Sequence, residues 1–148
     1  MDKDKLFKLM DETPFFREMD KADRENLLAH NNHWVQFKPQ EKILKEDEVD
    51  YGFFVLLEGH VSVMRSKPAE VSLAQLVPGS IFGEITMKAK RPRSSSIEAD
   101  NDVTVFKVDS QLMDQLSPEM IIKIKDQIID LVITRLDEVN NRLSSFIR

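Results

Sequence analysis

Between His33 and Asp109 the chain is cut into short runs rich in β-branched and aromatic residues: "HWVQF", "KILKE", "FFVLLEGHVSVMR", "VSLAQLV", "SIEAD" and "VTVFKVD". Turn-forming pieces, "KPQE", "EG", "SKPAE", "PGS" and "DND", separate them. Many short runs at close spacing predict an antiparallel barrel or sandwich. The form expected is mainly β, an antiparallel β-barrel jelly roll with N-terminal helices and a long C-terminal helix. At 148 residues the chain has the size of one compact domain. Its expected organisation is a jelly-roll domain with N-terminal helices over 1–117, followed by a long helix for dimerisation and hinge motion over 118–148.

The flanks carry a different period. Leu6, Phe7, Leu9 and Met10 have the spacing of a short amphipathic helix, which Pro14 breaks before an apolar anchor of Phe15, Phe16 and Met19. "DKADRENLLAH" predicts a second helix, capped by Asp20, with Ala22, Leu27 and Leu28 facing inward. After the strands, "DSQLMDQL" predicts a short helix, and the Ser117–Pro118 pair starts a long one that meets no further Pro or Gly before Arg148.

That long helix carries two apolar stripes. Ile122, Ile129, Leu136 and Leu143, interleaved with Val132, Val139 and Phe146, keep a heptad spacing in which Lys125 takes one apolar position. Ile121, Ile124, Ile128 and Leu131 form a second stripe that stops halfway. The first half of the helix is therefore expected to pack on the barrel, and the heptad stripe against something else. An apolar strip of this length is costly in water. A homodimer is predicted, with Val132, Leu136, Val139, Leu143 and Phe146 at its seam; a helix folded back into the core is the alternative the pattern leaves open.

Charge and composition narrow the function. The net charge of −5 argues against general affinity for nucleic-acid backbones or anionic membranes, which need a positive field. The lack of cysteine removes disulfides, thiolate zinc sites and thiol catalysis, and fits a reducing compartment. With no membrane-length apolar run and a charged N-terminus, the expected location is cytoplasmic. His30, His33 and His60 lack the close pairing of a metal site, and no serine sits in a glycine-flanked elbow, so no metal, no catalytic residue and no enzyme activity are expected.

One stretch stands apart: "VPGSIFGEITMKAKRPRSSSIEAD", residues 77–100. Gly79 suits a tight turn after Pro78, Ile81 and Phe82 are expected to point into the barrel, and Gly83 allows close backbone approach to a ligand. "EITMKA" predicts a helical turn whose free amides around Ile85 and Thr86 favour an anion. Arg93 supplies a planar two-donor cation suited to phosphate, with the Ser94 and Ser95 hydroxyls beside it. Glu84 only accepts hydrogen bonds, so beside a phosphate it needs a ligand that also offers hydroxyls, such as a ribose. By themselves Arg93 also suits a surface ion pair and Glu84 a cap of its own helix. Lys88, Lys90 and Arg91 are expected on a solvated face.

Together, Gly79, "FGE" at Phe82 to Glu84 and "PRSSS" from Pro92 resemble the phosphate-binding cassette of cyclic nucleotide-binding domains, found in catabolite-activator-type regulators, protein kinase A regulatory subunits and cyclic nucleotide-gated channels. Upstream, "FKPQEKILKEDEVDYGFFVLLEGHVSV" is similar to the turn-strand pattern of that family, with Gly59 in its turn and Gln40 where the family usually has glycine. Thr86 replaces a small residue of the family's pattern, and Lys88, Lys90 and Arg91 are more polar than its usual run. The resemblance implies that Arg93 binds the cyclic phosphate and Glu84 the ribose 2′-hydroxyl. It implies a pocket lined by Phe82, Gly83, Ile85 and Thr86, with the Ser94 and Ser95 hydroxyls beside the phosphate and Ser94, the residue after the arginine, bearing on the choice between cyclic AMP and cyclic GMP. The base is expected near Thr134, Arg135 or Leu136.

The function this implies is a cytoplasmic regulatory sensor of cyclic AMP or cyclic GMP, with no other cofactor. Its signal passes through the hinge at Asp109 to Ser117 and the long helix to an effector of unknown identity, either another protein or a segment beyond these residues, since they encode no DNA-reading segment. A dimeric scaffold that keeps the fold without binding nucleotide, and a metal-dependent jelly-roll enzyme, are the alternatives.

Overall fold

A computed structural model of the chain describes residues 2–48, 52–65, 71–83 and 95–147. The chain divides into two compact units, Met1–Gln115 and Leu116–Arg148.

The first unit opens with α1 (Lys3–Glu12), which the Asp2 carboxylate caps by accepting from the Asp4 amide at 2.9 Å. Pro14 stops that helix and starts a single 3₁₀ turn, Pro14–Phe16. Helix α2 (Lys21–Leu28) begins with a capping box, in which the Asp20 carboxylate accepts from the Asp23 amide at 2.8 Å and the Asp23 carboxylate accepts from the Asp20 amide at 3.2 Å. The expected inward set of α2 needs one correction. Leu27 and Leu28 are buried, but Ala22 is exposed, because the second turn of the helix alone carries the contact face. Arg24 ties the two helices together, donating to the Asp11 carboxylate and to the Phe16 carbonyl at 3.3 Å.

Among the described residues eight strands follow: β1 (Trp34–Phe37), β2 (Lys42–Leu44), β3 (Phe53–Glu58), β4 (Val61–Arg65), β5 (Val71–Leu76), β6 (Ile81–Phe82), β7 (Ser96–Ala99) and β8 (Val103–Val108). They form two four-stranded sheets, ordered β1-β8-β3-β6 and β2-β7-β4-β5, with every pairing antiparallel. Apart from β4 and β5, which pair with each other, successive strands alternate between the sheets, which makes this the expected jelly roll.

Phe54, Leu56, Phe82, Val103 and Val105 of the first sheet meet Leu44, Val61, Ile97 and Ala99 of the second in one apolar core. Each such side chain removed from water contributes about 1.5–3 kcal/mol before entropy is counted. The alternate residues of the first sheet are buried too. Trp34, Phe53, Val55, Phe106 and Val108 lie on its other face, where the Phe15 and Phe16 rings meet Phe53, Trp34 and Phe106 at centroid distances of 5.8–6.1 Å. The Trp34 indole donates to the Leu27 carbonyl at 2.9 Å. Burial on both faces is why "FFVLLE" reads as a continuous apolar run rather than an alternating one. It also corrects the expectation for Ile81. Phe82 pairs with Phe54 and enters the core, whereas Ile81 pairs with Val55 and is buried on the opposite face, as a two-residue period requires.

After β8 the chain forms α3 (Ser110–Gln115), whose Leu112 amide donates to the Asp109 carboxylate at 3.0 Å. The second unit is α4 (Pro118–Phe146), capped by the Ser117 hydroxyl, which accepts from the Met120 amide at 3.2 Å. Along α4, Met120 and Ile124 are buried and Ile121, Ile128 and Leu131 half-buried. The heptad stripe is exposed, from Ile122 and Ile129 through Leu136 and Leu143 to Phe146, and Ile133 and Ile147 widen it. Among the described residues no helix is long and apolar enough to cross a membrane.

Among the residues with positive φ, Gly59 and Gln40 hold it under contrasting conditions. Gly59 has φ of 91°, and a Cβ there would lie 2.3 Å from the Asp102 carbonyl oxygen. Gly59→Ala is expected to cost about 2 kcal/mol or more in urea denaturation. Gln40 holds φ of 73° with a side chain present, and its amide donates to the Ala99 carbonyl at 2.7 Å. Gln40→Gly removes the steric penalty and is expected to raise stability by about 0.5–1 kcal/mol in the same assay.

Candidate functional site

The candidate pocket segment hangs between β6 and β7, strands that belong to different sheets. Its entry is held by backbone bonds: the Gly79 amide donates to the Leu56 carbonyl at 2.7 Å, and the Leu56 amide to the Ser80 carbonyl at 2.9 Å. One residue pair further on, the Phe82 ring stacks on Phe54 with centroids 5.4 Å apart and planes 14° from parallel. Such a pair adds about 0.5–1.5 kcal/mol beyond the area it buries. The Phe82 side chain is thereby locked in the core immediately before Gly83, whose φ of 84° turns the chain out of the strand.

The exit is held differently. Ser95 is half-buried, and Ser96, buried at the start of β7, uses its hydroxyl oxygen to accept from the Glu46 amide at 2.9 Å. Ser96 faces Met64 of β4, and the next residue, Ile97, enters the core. Both ends of the segment are thus tied to the packed centre of the fold. Ser96 was legible only as the beginning of a strand, since a hydroxyl that bonds a backbone 50 residues away leaves no local signature.

Of the residues singled out in the sequence, Phe82, Gly83 and Ser95 stand at these two ends. Glu84, Ile85, Thr86, Arg93 and Ser94 lie outside the described residues, as do Lys88, Lys90 and Arg91. The three α4 residues expected near a base are described within their own unit. Thr134 donates its hydroxyl to the Asp130 carbonyl at 2.9 Å, one turn back, and Leu136 is exposed. Arg135 is half-buried; burial lowers the pKa of its guanidinium from the usual value, and Glu138 on the next turn opposes that shift. It remains a cation, because an arginine cannot lose its proton at any ordinary pH.

Elsewhere the polar groups serve the frame. Asp100 accepts from the Ser62 hydroxyl at 2.8 and 2.9 Å and from the Gln75 amide at 3.0 Å, fastening the outer side of the second sheet. His60 donates its backbone N–H to the Asn101 side chain at 2.8 Å. His30 and His60 are half-buried, whereas His33 lies deeper. It is buried at 6% exposure, and its Nδ1 lies 3.1 Å from the Lys107 carbonyl, a contact that joins residues 74 apart. Among the described residues no group of three acidic, histidine or cysteine side chains gathers as a metal site would need.

Comparison with known proteins gives concordant results. A family model described as the cyclic nucleotide-binding domain matches residues 34–118. The cAMP-dependent protein kinase type II regulatory subunit of Drosophila melanogaster is 32% identical over 96 residues, which is 64% of this chain and 25% of that protein. The chain therefore corresponds to about a quarter of the length of that relative. Among solved structures, the catabolite activator protein of Thermus thermophilus aligns with a TM-score of 0.72 at 20% identity, covering 89% of this chain and 62% of that one. A structure described as PKAR CBD2 bound to Sp-2Cl-cAMPS aligns with a TM-score of 0.64 at 21% identity, covering 92% and 87%. At these identities the structural likenesses establish the fold, and the sequence match over residues 34–118 supplies the kinship.

Proposed function

Because the chain belongs to the cyclic nucleotide-binding domain family, we propose that it is a regulatory sensor that binds cyclic AMP in the segment between β6 and β7 and passes the signal through α4. The observation that carries this proposal is the family match over residues 34–118, which includes the whole segment from Gly79 to Ser96. Cyclic AMP is preferred to cyclic GMP because the Drosophila relative is named as cAMP-dependent and a structural neighbour holds a cyclic AMP analogue.

In this proposal Arg93 grips the cyclic phosphate through two charge-assisted hydrogen bonds, and the amides at Ile85 and Thr86 complete the anion site. Glu84 accepts from the ribose 2′-hydroxyl, while Phe82 and Gly83 form the wall from which the segment springs. Ser94 and Ser95 offer hydroxyls beside the phosphate, and Thr134, Arg135 or Leu136 meets the base. The protein is a binding module with no catalytic step, placed in the cytoplasm. Capture of the ligand draws residues 84–94 inward and shifts the stretch from Asp109 to Ser117, so that α4 changes its angle. Coupling of this kind requires two states that differ in affinity for the nucleotide.

The exposed stripe of α4 supports a homodimer. Val132, Leu136, Val139, Leu143 and Phe146 are each at least 45% exposed, and nine large apolar side chains of α4 and its C-cap face solvent in the single chain. Soluble proteins rarely leave a continuous apolar strip of that length uncovered. A second copy supplies the partner stripe.

Calorimetric titration of the intact chain with cyclic AMP and cyclic GMP tests the ligand. Binding of cyclic AMP is expected. Arg93→Ala, which removes two charge-assisted bonds, is expected to weaken it about 100-fold or more, and Glu84→Gln about tenfold. Absence of heat for both nucleotides would instead favour the non-binding scaffold. For the dimer, sedimentation of the wild type is expected to give twice the mass of the chain, and Leu136→Glu with Leu143→Glu to give a monomer of unchanged fold.

A further inference from the structure

Three elements of the first unit converge on His33. Its imidazole is 7% exposed; Nδ1 lies 3.1 Å from the Lys107 carbonyl at the end of β8 and 3.8 Å from Asp109 Oδ1. The same Oδ1 caps α3 by accepting from the Leu112 amide at 3.0 Å, and Leu112 itself is fully buried. A carbonyl oxygen only accepts, so the 3.1 Å contact requires the proton on Nδ1 and leaves Nε2 as the site that gains or loses one. Beside the ring lies a cavity of about 270 Å³ lined by His30, Asn31, Asn32, His33, Gln111 and Gln115, whose amide groups and water can accept a second N–H.

We propose that His33 is a proton-operated latch on the start of α3. With the ring neutral, Nδ1–H holds the Lys107 carbonyl, and Asp109 feels only a dipole. With Nε2 also protonated, the imidazolium attracts the Asp109 carboxylate and steadies the cap that begins α3. Among the described residues, the charged and titratable groups facing the ring are Asp109 beyond β8 and His30, whose ring centroid is 6.4 Å away. Helix α3 presents the neutral Gln111 and Gln115, and β8 presents the Lys107 carbonyl, the Lys107 ammonium lying 5.8 Å from the Phe54 ring centroid. Protonation of the ring therefore tightens the latch. Its bearing on signalling rests on the proposed hinge at Asp109 to Ser117, but its existence does not.

The test is amide hydrogen exchange at Leu112 and Met113 in the nucleotide-free chain, corrected for the intrinsic pH dependence of exchange. Protection in the wild type is expected to be about two- to fivefold higher at pH 5.5 than at pH 7.5. Asp109→Asn, which keeps a capping oxygen but removes the charge, is expected to abolish the difference, and His33→Asn to do the same. Imidazole ¹⁵N spectra at pH 7.5 are expected to show the proton on Nδ1. An equal pH ratio in wild type and Asp109→Asn, or a neutral ring protonated on Nε2, would overturn the latch even if His33→Asn failed to fold. Because no nucleotide is present, that result leaves the cyclic AMP proposal untouched. Conversely, a chain that ignores cyclic AMP yet shows the pH effect sinks only the sensor.

Discussion

The contact on which the candidate site depends is the stack of Phe82 on Phe54. β6 is two residues long and pairs with a single neighbour at the edge of its sheet, so its backbone bonds alone hold it weakly. What fixes it is the aromatic side chain driven into the core between the sheets, where truncation of a phenylalanine typically costs about 3–5 kcal/mol. With Phe82 immobile, Gly83 leaves the strand at a defined place and in a defined direction. On the far side of residues 84–94, the Ser96–Glu46 bond fixes the start of β7 in the same way.

This arrangement resolves a conflict common to binding proteins. A pocket needs backbone free of regular pairing, but an unpaired loop is poorly placed unless a rigid scaffold positions it. Here the scaffold is a sheet covered on both faces, by the second sheet on one and by the Phe15 and Phe16 rings on the other. Those rings belong to the N-terminal segment, so Pro14, which ends α1 and starts the 3₁₀ turn that presents them, contributes to the rigidity of a site far from it in sequence. The same buried strand β8 ends at Lys107 to Asp109, where His33 and α3 meet. Scaffold and the entry to the candidate site thus belong to the same unit as the contact between His33 and the start of α3.

Much of the architecture was legible because it is written locally. Short apolar runs and turn residues reveal the strands, Asp20 and Ser117 announce their helices, and the Gly83–Glu84 and Arg93 pattern marks the segment of interest. What escaped detection depends on partners distant in sequence. Ile81 and Phe82 are both apolar, and only the pairing register assigns them to opposite faces. Ala22 has the helical spacing of a buried residue but no neighbour to cover it. His33 gives no local sign that it is buried against residue 107. Gln40, where glycine was expected, shows that a turn can keep its left-handed conformation when a ladder bond to Ala99 holds it, at a cost in strain. Ile133 and Ile147 fall outside a strict heptad, so the exposed face of α4 is wider than the spacing implied.

The central claim is that residues 84–94, held between a locked phenylalanine and a bonded serine, close on a cyclic nucleotide. Hydrogen exchange read by mass spectrometry over peptides spanning Gly83 to Ser95, with and without saturating cyclic AMP, tests it most directly. The account predicts that exchange in this segment slows severalfold with cyclic AMP while the β3 and β8 core stays unchanged. Identical exchange in the segment with and without both cyclic AMP and cyclic GMP would contradict it.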